Sequence, residues 1–500
     1  MKDRTNTLVV INIGIDSYRE NIIFMREDCN ICKSEGFRAL TRVVVHFKNR
    51  SIVATLNVVY SDIIHHHEGG LSKEAMKRLD VKEGDIISIS HLKHINSLSK
   101  LRGKMYDKEL NDNDFKSIIT DIVDGRYSNI ELAAFISVCS GNNLSMKEIS
   151  GLTKAMIASG KKIQWHNKII LDKHCVGGLP GNRTTPIIVS IVAHAGLTIP
   201  KTSSRAITSP AGTADAMETM APVNLSIEQI KQVVGKENGC IVWGGAVKLS
   251  PADDILISVE KSLDMDSVGL MIASVLSKKS AAGATHVLID IPVGETAKVR
   301  SSEFAKSLQN QFETVAKMIG LKLKIVVTDG SQPVGRGIGP ALEAMDVLAV
   351  LKNQKTAPKN LKERAILLAG SLLELSGKYA TGVGIKMARE ILESGKAWKK
   401  FQAICESQGG LTIPKFAKLK YDVLSESVGT VTRIDNRKLA RLAKLAGAPR
   451  SPLSGILFLA PLKKKVKKGQ VLFTVYAETK GELEYALDYM KTNNPIITIE

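Results

Sequence analysis

Residues 168–196 read KIILDKHCVGGLPGNRTTPIIVSIVAHAG, and the choice of fold follows from how they divide. A short β-branched run (KIIL) leads into a glycine-rich stretch, and the chain then enters a long apolar run (PIIVSIVAHAG). That order is strand, loop, helix. Further along, HVLIDIPVG (286–294) and KIVVTDG (324–330) read as the plainest buried strands, again separated by helical pattern. The alternation predicts an α/β layer structure with helices on both faces of a mainly parallel sheet. In KLSPADDIL, Ser250, Pro251 and Asp253 supply an N-cap, a first-position proline and a first-turn acid, so a helix begins there. To the N-terminal side, TRVVVHF and SIVATLNVVY alternate apolar and polar residues as half-buried strands do, and VKEGDIISIS reads as a turn and a strand. Helical periodicity takes over from about 100 to 165, and strands return after about 420. No tandem repeat or low-complexity tract interrupts the chain.

The chain has 500 residues, long enough for several folding units, and its 44% hydrophobic and 24% charged content is that of a globular protein. Lys and Arg number 69 against 50 Asp and Glu, a formal charge of +19, which attracts anions without choosing among phosphate, nucleotide and nucleic acid. Aromatics at 5% are too few for a base-stacking surface. No stretch approaches the roughly 20 apolar residues of a membrane span, and the apolar run near the N-terminus is too short for a secretion signal. The expectation is a cytoplasmic protein with its six cysteines reduced.

Two segments gather the groups that bind anions. The first runs Asp172-Lys173-His174-Cys175-Val176-Gly177-Gly178 and on to Thr184-Thr185. Its glycines free backbone N–H groups near a helix start, and Lys173 adds a point charge. The second, Thr202-Ser203-Ser204-Arg205-Ala206-Ile207-Thr208-Ser209 through Thr213 and Asp215, is dense in hydroxyl donors around one arginine. Neither is a P-loop, since GxxxxGK[ST] is absent. Each alone reads as a structural turn more often than a phosphate site; together they favour an anion site.

These segments closely resemble the thymidine/pyrimidine-nucleoside phosphorylase family, and most closely its long branch, which includes the archaeal AMP phosphorylases. KHCVGG stands where the family has a KHS-type loop. SSRAITSPAGTADAMET, WGGAVKLSPADD and MIASVLSKK follow in the family's order. The resemblance covers about residues 95 to 500, and the N-terminal β unit is similar to an extension of the long branch only. It implies that Lys173, Cys175, Gly178, Thr185, Ser203 and Thr213 bind phosphate. It implies that Ser204, Arg205, Ala206, Ile207, Thr208, Ser209, Ser274, Lys278 and Lys298 contact the nucleoside or nucleotide. Asp266 matches the proton donor to the leaving base in the AMP-cleaving branch, and His174 is a second candidate acid. No cofactor or metal is implied, inorganic phosphate is the co-substrate, and the family is at least dimeric.

The architecture expected is a small β-rich N-terminal domain (1–92), a helical lobe (93–165 plus about 251–281), an α/β phosphate-binding lobe (166–250 plus 282–418) and a β-rich α+β C-terminal domain (419–500). Two departures matter. Cys175 replaces a phosphate-binding serine with a weaker donor. The base-reading arginine of the short thymidine phosphorylases has no counterpart, since SVEKSLDMDS offers only Lys261, which favours a nucleoside monophosphate such as AMP over a strict pyrimidine nucleoside. The alternatives are a phosphoribosyltransferase using a diphosphate donor, for which Asp172 alone is thin support, and a basic RNA-binding protein. Cys29-Asn30-Ile31-Cys32 and His65-His66-His67 lack a zinc-site spacing. Gly335-Arg336-Gly337-Ile338-Gly339 fails the dinucleotide spacing and reads as a structural loop. The lysines of residues 463–468 read as a solvated turn.

Overall fold

Alternation in the first ninety residues closes a six-stranded barrel, in the order Thr7–Ile11, Glu68–Leu71, Ile22–Arg26, Arg50–Val59, Arg42–Phe47, Ile86–His91. In Arg42–Phe47 the two fully buried residues, Val43 and Val45, are two positions apart, as a strand with one face inward requires. Closure leaves no free sheet edge. Cys29 caps the following helix Asn30–Glu35, its sulfur accepting the Cys32 N–H at 3.2 Å, so the CxxC pair has a local structural role. The structure is a computed structural model describing residues 6–17, 20–206, 209–247, 249–263, 265, 267–493 and 495–500. They group into two compact units, Met1–Val138 and Cys139–Glu500. The first unit ends in helices Ser97–Met105, Asp112–Val123 and Asn129–Val138.

The second unit opens on helix Met146–Ser159, started by a reciprocal Ser145–Glu148 cap. Helices Pro251–Leu263 and Val268–Ala281 pack against it. Gly269 sits so close to Leu144 and Ile149 that a side chain there would crowd both. The sheet beside these helices is parallel throughout: Lys322–Asp329, His286–Val293 and Leu171–Cys175 lie in that order. An Ile170–Thr198 bridge connects them to the parallel pair Ile199–Ser203 and Gly239–Trp243. Seven of the eight residues of His286–Val293 are buried, as read from its sequence. Lys322–Asp329 corrects the companion expectation. It is an edge strand with one neighbour, none of its residues is fully buried, and Val327 is exposed. The main core lies between this sheet and helices Thr185–His194, Pro340–Leu351, Lys359–Leu375 and Lys396–Gln408, with Ile187, Ile191, Leu368 and Phe401 at its centre.

The C-terminal part is antiparallel, carrying helices Asn436–Leu445 and Lys480–Thr492. One of its sheets borrows a strand: Gly337–Ile338 pairs with Gly455–Phe458, which pairs in turn with Val471–Ala477. The GRGIG loop is therefore structural, and Asp346 holds it by accepting the N–H groups of Arg336 and Gly337 at 2.5 and 2.7 Å. The fold is thus multidomain α/β, with a β-barrel, helical parts, a parallel-sheet lobe and an α+β C-terminal part. Among the described residues no helix is long and apolar enough to cross a membrane.

Candidate active site

The carboxyl ends of the neighbouring parallel strands Leu171–Cys175 and Ile199–Ser203 open into the two segments singled out from the sequence. In open α/β sheets this edge is where ligands bind. The first loop needs its glycines. Gly177 and Gly178 have φ of +94° and +79°, and a side chain on Gly178 would meet the backbone nitrogen of Lys298 at 2.4 Å. The loop is pinned from below by Asn182 N–H donating to the Val334 carbonyl at 2.9 Å. It then enters helix Thr185–His194, whose N-cap Thr184 makes no side-chain cap bond, leaving first-turn N–H groups available to an anion.

Charge converges beneath that loop. Buried Asp172 bridges two buried lysines, Lys201 at 3.2 Å and Lys279 at 2.8 Å. Burial opposes ionisation of Asp172, but the two ammonium groups outweigh it and hold the carboxyl below its ordinary range. Buried Lys173 donates to Thr184 Oγ1 at 3.1 Å and lies 3.8 Å from Asp290 Oδ2. Asp290 also accepts from Thr328 at 2.6 Å and from the Asn182 amide at 3.4 Å. Three buried lysines thus face two buried carboxylates, and the surplus charge is positive. Ser203, only 8% exposed, has a hydroxyl without a hydrogen-bond partner among the described residues. An unpartnered hydroxyl at that depth costs stability, unless a ligand accepts from it.

Cys175 accepts from the Asn182 amide at 3.3 Å, and burial, with Asp290 nearby, pushes its thiol up to about 12. It therefore stays a neutral S–H that can donate weakly. His174 is half-buried, and burial followed by Lys279, Lys201, Lys278 and Lys173 pushes its imidazole well below 6.5. A neutral ring is the expected form at pH 7. In the unfolded chain the same ring takes up a proton near 6.5. Its contribution to stability is thus present above about pH 6.5 and lost as pH falls below it. The melting temperature of His174→Gln should fall less than that of the native chain between pH 7.5 and 5.5. Equal falls in thermal melts would show that the ring is not held neutral.

The second loop is closed by Asp215, whose Oδ2 accepts the N–H groups of Ala206 and Gly212 at 2.7 and 2.8 Å. Arg205 donates to both oxygens of Glu218, at 2.5 and 2.8 Å, and to Asp215 at 3.3 Å. Its guanidinium also lies 4.9 Å from the centre of the Trp243 ring. It shapes the loop from the side. Ser204 is exposed, and Ser209 donates to the Ala211 carbonyl at 2.9 Å. Ser274 and Lys278 share a face of helix Val268–Ala281, four positions apart, and Lys278 pairs with Asp253 at 2.8 Å. Thr185 is buried at the helix start and Lys298 is half-buried against Gly178. Ile207, Thr208 and Asp266 lie outside the described residues.

Sequence reasoning assigned no role to Lys201, Lys279, Asp290, Arg183 or Glu343. Arg183 donates to Thr213 Oγ1 at 2.6 Å, to the Ala211 carbonyl at 2.9 Å and to Glu343 at 2.8 Å, tying the two loops together. Its place inside the first glycine segment was the one available signal.

Comparison with known proteins gives the family and, with it, the class of enzyme, a pentosyltransferase. Residues 97–160 match the helical bundle domain of the glycosyl transferase family and residues 167–398 its α/β domain. Residues 430–497 match the pyrimidine nucleoside phosphorylase C-terminal domain. A Hahella chejuensis protein named "Putative thymidine phosphorylase" is 52% identical over 99% of this chain and 98% of its own length. A Legionella pneumophila (strain Paris) protein of the same name is 53% identical over 100% of this chain and 96% of its own. In fold alone, the chain is similar to anthranilate phosphoribosyltransferase from Thermus thermophilus, with a TM-score of 0.50 at 19% identity, over 62% of this chain and 98% of that one. The chain belongs to the thymidine/pyrimidine-nucleoside phosphorylase family, whose reaction is nucleoside phosphorolysis.

Proposed function

We propose that the protein cleaves the N-glycosidic bond of a nucleoside 5′-monophosphate such as AMP, CMP or UMP with inorganic phosphate. A phosphate oxygen bonds to C1′ as the bond from C1′ to the base nitrogen breaks, giving free base and ribose 1,5-bisphosphate. The observation that carries the phosphate part is the unpartnered buried hydroxyl of Ser203, at the strand edge that also presents the surplus cation charge. Phosphate is a modest nucleophile, so the gain comes from fixing it beside the anomeric carbon and from screening its charge against the sugar's own phosphate. Lys173, Cys175, Gly178, Thr185, Ser203 and Thr213 would hold it. The base leaves as an anion unless protonated, and that role is proposed for Asp266 because burial, with the cations around it, keeps the His174 imidazole neutral. Ser204 to Ser209, Ser274, Lys278 and Lys298 would face the nucleotide. No metal or cofactor takes part in this reading, and Asp172, committed to two lysines, offers little to a magnesium diphosphate.

The 5′-phosphate part rests on Lys261 standing where a base-reading arginine would be, and on the chain's positive balance. Thymidine, named in the relatives' titles, is the competing substrate. Base release from AMP, CMP, UMP, uridine and thymidine, with and without phosphate, decides both parts. The expected result is phosphate-dependent release that is faster from at least one monophosphate than from its nucleoside. Release from nucleosides only would remove the 5′-phosphate, and no release from any mixture would remove phosphorolysis.

A further inference from the structure

We infer that Arg183 is a positioning residue that fixes the Thr213 hydroxyl as a proton donor to phosphate; the inference rests on the phosphorolysis reading above. The Arg183 side chain is almost wholly buried, and its fork is used by the protein itself. Nε donates to Glu343 at 2.8 Å, Nη1 to Thr213 Oγ1 at 2.6 Å, and Nη2 to the Ala211 carbonyl at 2.9 Å while also lying 2.6 Å from Glu343. With those donors spent on protein acceptors, the guanidinium acts through its neighbours. A threonine hydroxyl has one proton and two lone pairs. When Arg183 occupies a lone pair of Thr213, the hydroxyl proton has to point elsewhere. Lys173 imposes the same state on Thr184 across the first loop, at 3.1 Å. Both loops thereby offer hydrogen-bond donors to an anion rich in acceptor oxygens.

Glu343 is what holds the fork in register. Its Oε1 accepts the Gly339 N–H at 3.1 Å while Oε2 takes Arg183, so the arginine cannot swing without breaking a buried pair. Burial raises the Glu343 carboxyl to about 7, and Arg183 offsets only part of that rise. Lysine at position 183 would keep the charge and lose the planar fork that reaches Glu343, Ala211 and Thr213 together.

The test is a double-mutant cycle on the full-length protein, with Arg183→Lys, Thr213→Val and the pair, read as KM for inorganic phosphate. Each single change should raise that KM about tenfold, the loss of one hydrogen bond to a charged group. The pair should also raise it about tenfold, because the second change removes an interaction already lost. The KM for the nucleotide substrate should move less than about twofold, the scale of a change that breaks no contact to it. Thr213→Ser, which keeps the hydroxyl, should restore phosphate KM to near native. An additive effect of about a hundredfold, or an Arg183→Lys phosphate KM within about twofold of native, would overturn the inference. If Arg183→Lys does not fold, Glu343→Gln takes its place: a several-fold rise in phosphate KM that disappears in the Thr213→Val background is expected, and no rise overturns it. Calorimetric binding of inorganic phosphate to the same proteins separates the two claims. An intact cycle in Kd without any base release would sink phosphorolysis alone, and base release with an additive cycle would sink the role of Arg183 alone.

Discussion

Lys173→Met should lower kcat/KM for phosphate by about 10³-fold, the upper range for removing one preorganised donor from a site of developing charge. The side chain is buried, its ammonium is held by Thr184 on one side and Asp290 on the other, and these contacts fix it before phosphate arrives. Methionine keeps the length and volume of the side chain while removing the charge. Lost with it is the surplus of buried cations over carboxylates, leaving Lys201 and Lys279 already balanced by Asp172 and Asp290 alone. Initial rates at varied phosphate would show the effect, with circular dichroism confirming the fold. Activity within about tenfold of native would take Lys173 out of the phosphate site, since a single donor removed there costs more than that.

Asp172→Asn should bring the largest loss of stability of any single change near the site, about 3–5 kcal/mol in urea unfolding at pH 7. The carboxylate is 1% exposed and is the shared partner of two buried ammonium groups, so its removal strands both. The direction with pH follows from the same geometry. Because the folded carboxyl is held below its ordinary value, its stabilisation is present above about pH 4 and fades as pH falls through the folded pKa. Burial drives Lys279 down, which makes Lys279→Met the natural second change. In the Asp172→Asn background it should recover part of the lost stability by removing one stranded charge. A loss under about 1 kcal/mol for Asp172→Asn, the size of an exposed pair, would show that the bridge is unimportant.

The parts of this site that were legible in the sequence are those with a local cause. Gly177 and Gly178 are readable because a backbone with positive φ selects glycine, and the hydroxyl run from Thr202 to Thr213 because such density is out of place in a core. The strands Arg42–Phe47, Arg50–Val59, Ile86–His91 and His286–Val293 follow from period and apolar runs, whereas the closure of the first three into a six-stranded barrel does not. Lys322–Asp329 was misjudged because its apolar run is as strong as that of a central strand, while its exposure depends on which neighbours it has. The charged partners were illegible for a related reason. Arg183 and Glu343 are 160 positions apart, and Asn182 and Asp290 are 108 apart, with nothing in either neighbourhood to announce the pairing. A lone buried lysine such as Lys201 or Lys279 looks in sequence like any surface lysine. Arg205 was singled out by its motif, but its protein partners Glu218, Asp215 and Trp243 were not readable from it.

The strand Gly337–Ile338 has a consequence in time. It leaves the ribosome more than a hundred residues ahead of its partner Gly455–Phe458, held until then only by the local bonds from Arg336 and Gly337 to Asp346. Next in the chain are Gly339 and Glu343, the acceptor that holds Arg183. Domains fold from the N-terminus as the chain emerges. Here a segment made more than a hundred residues later completes the sheet next to the loop that carries the arginine's anchor.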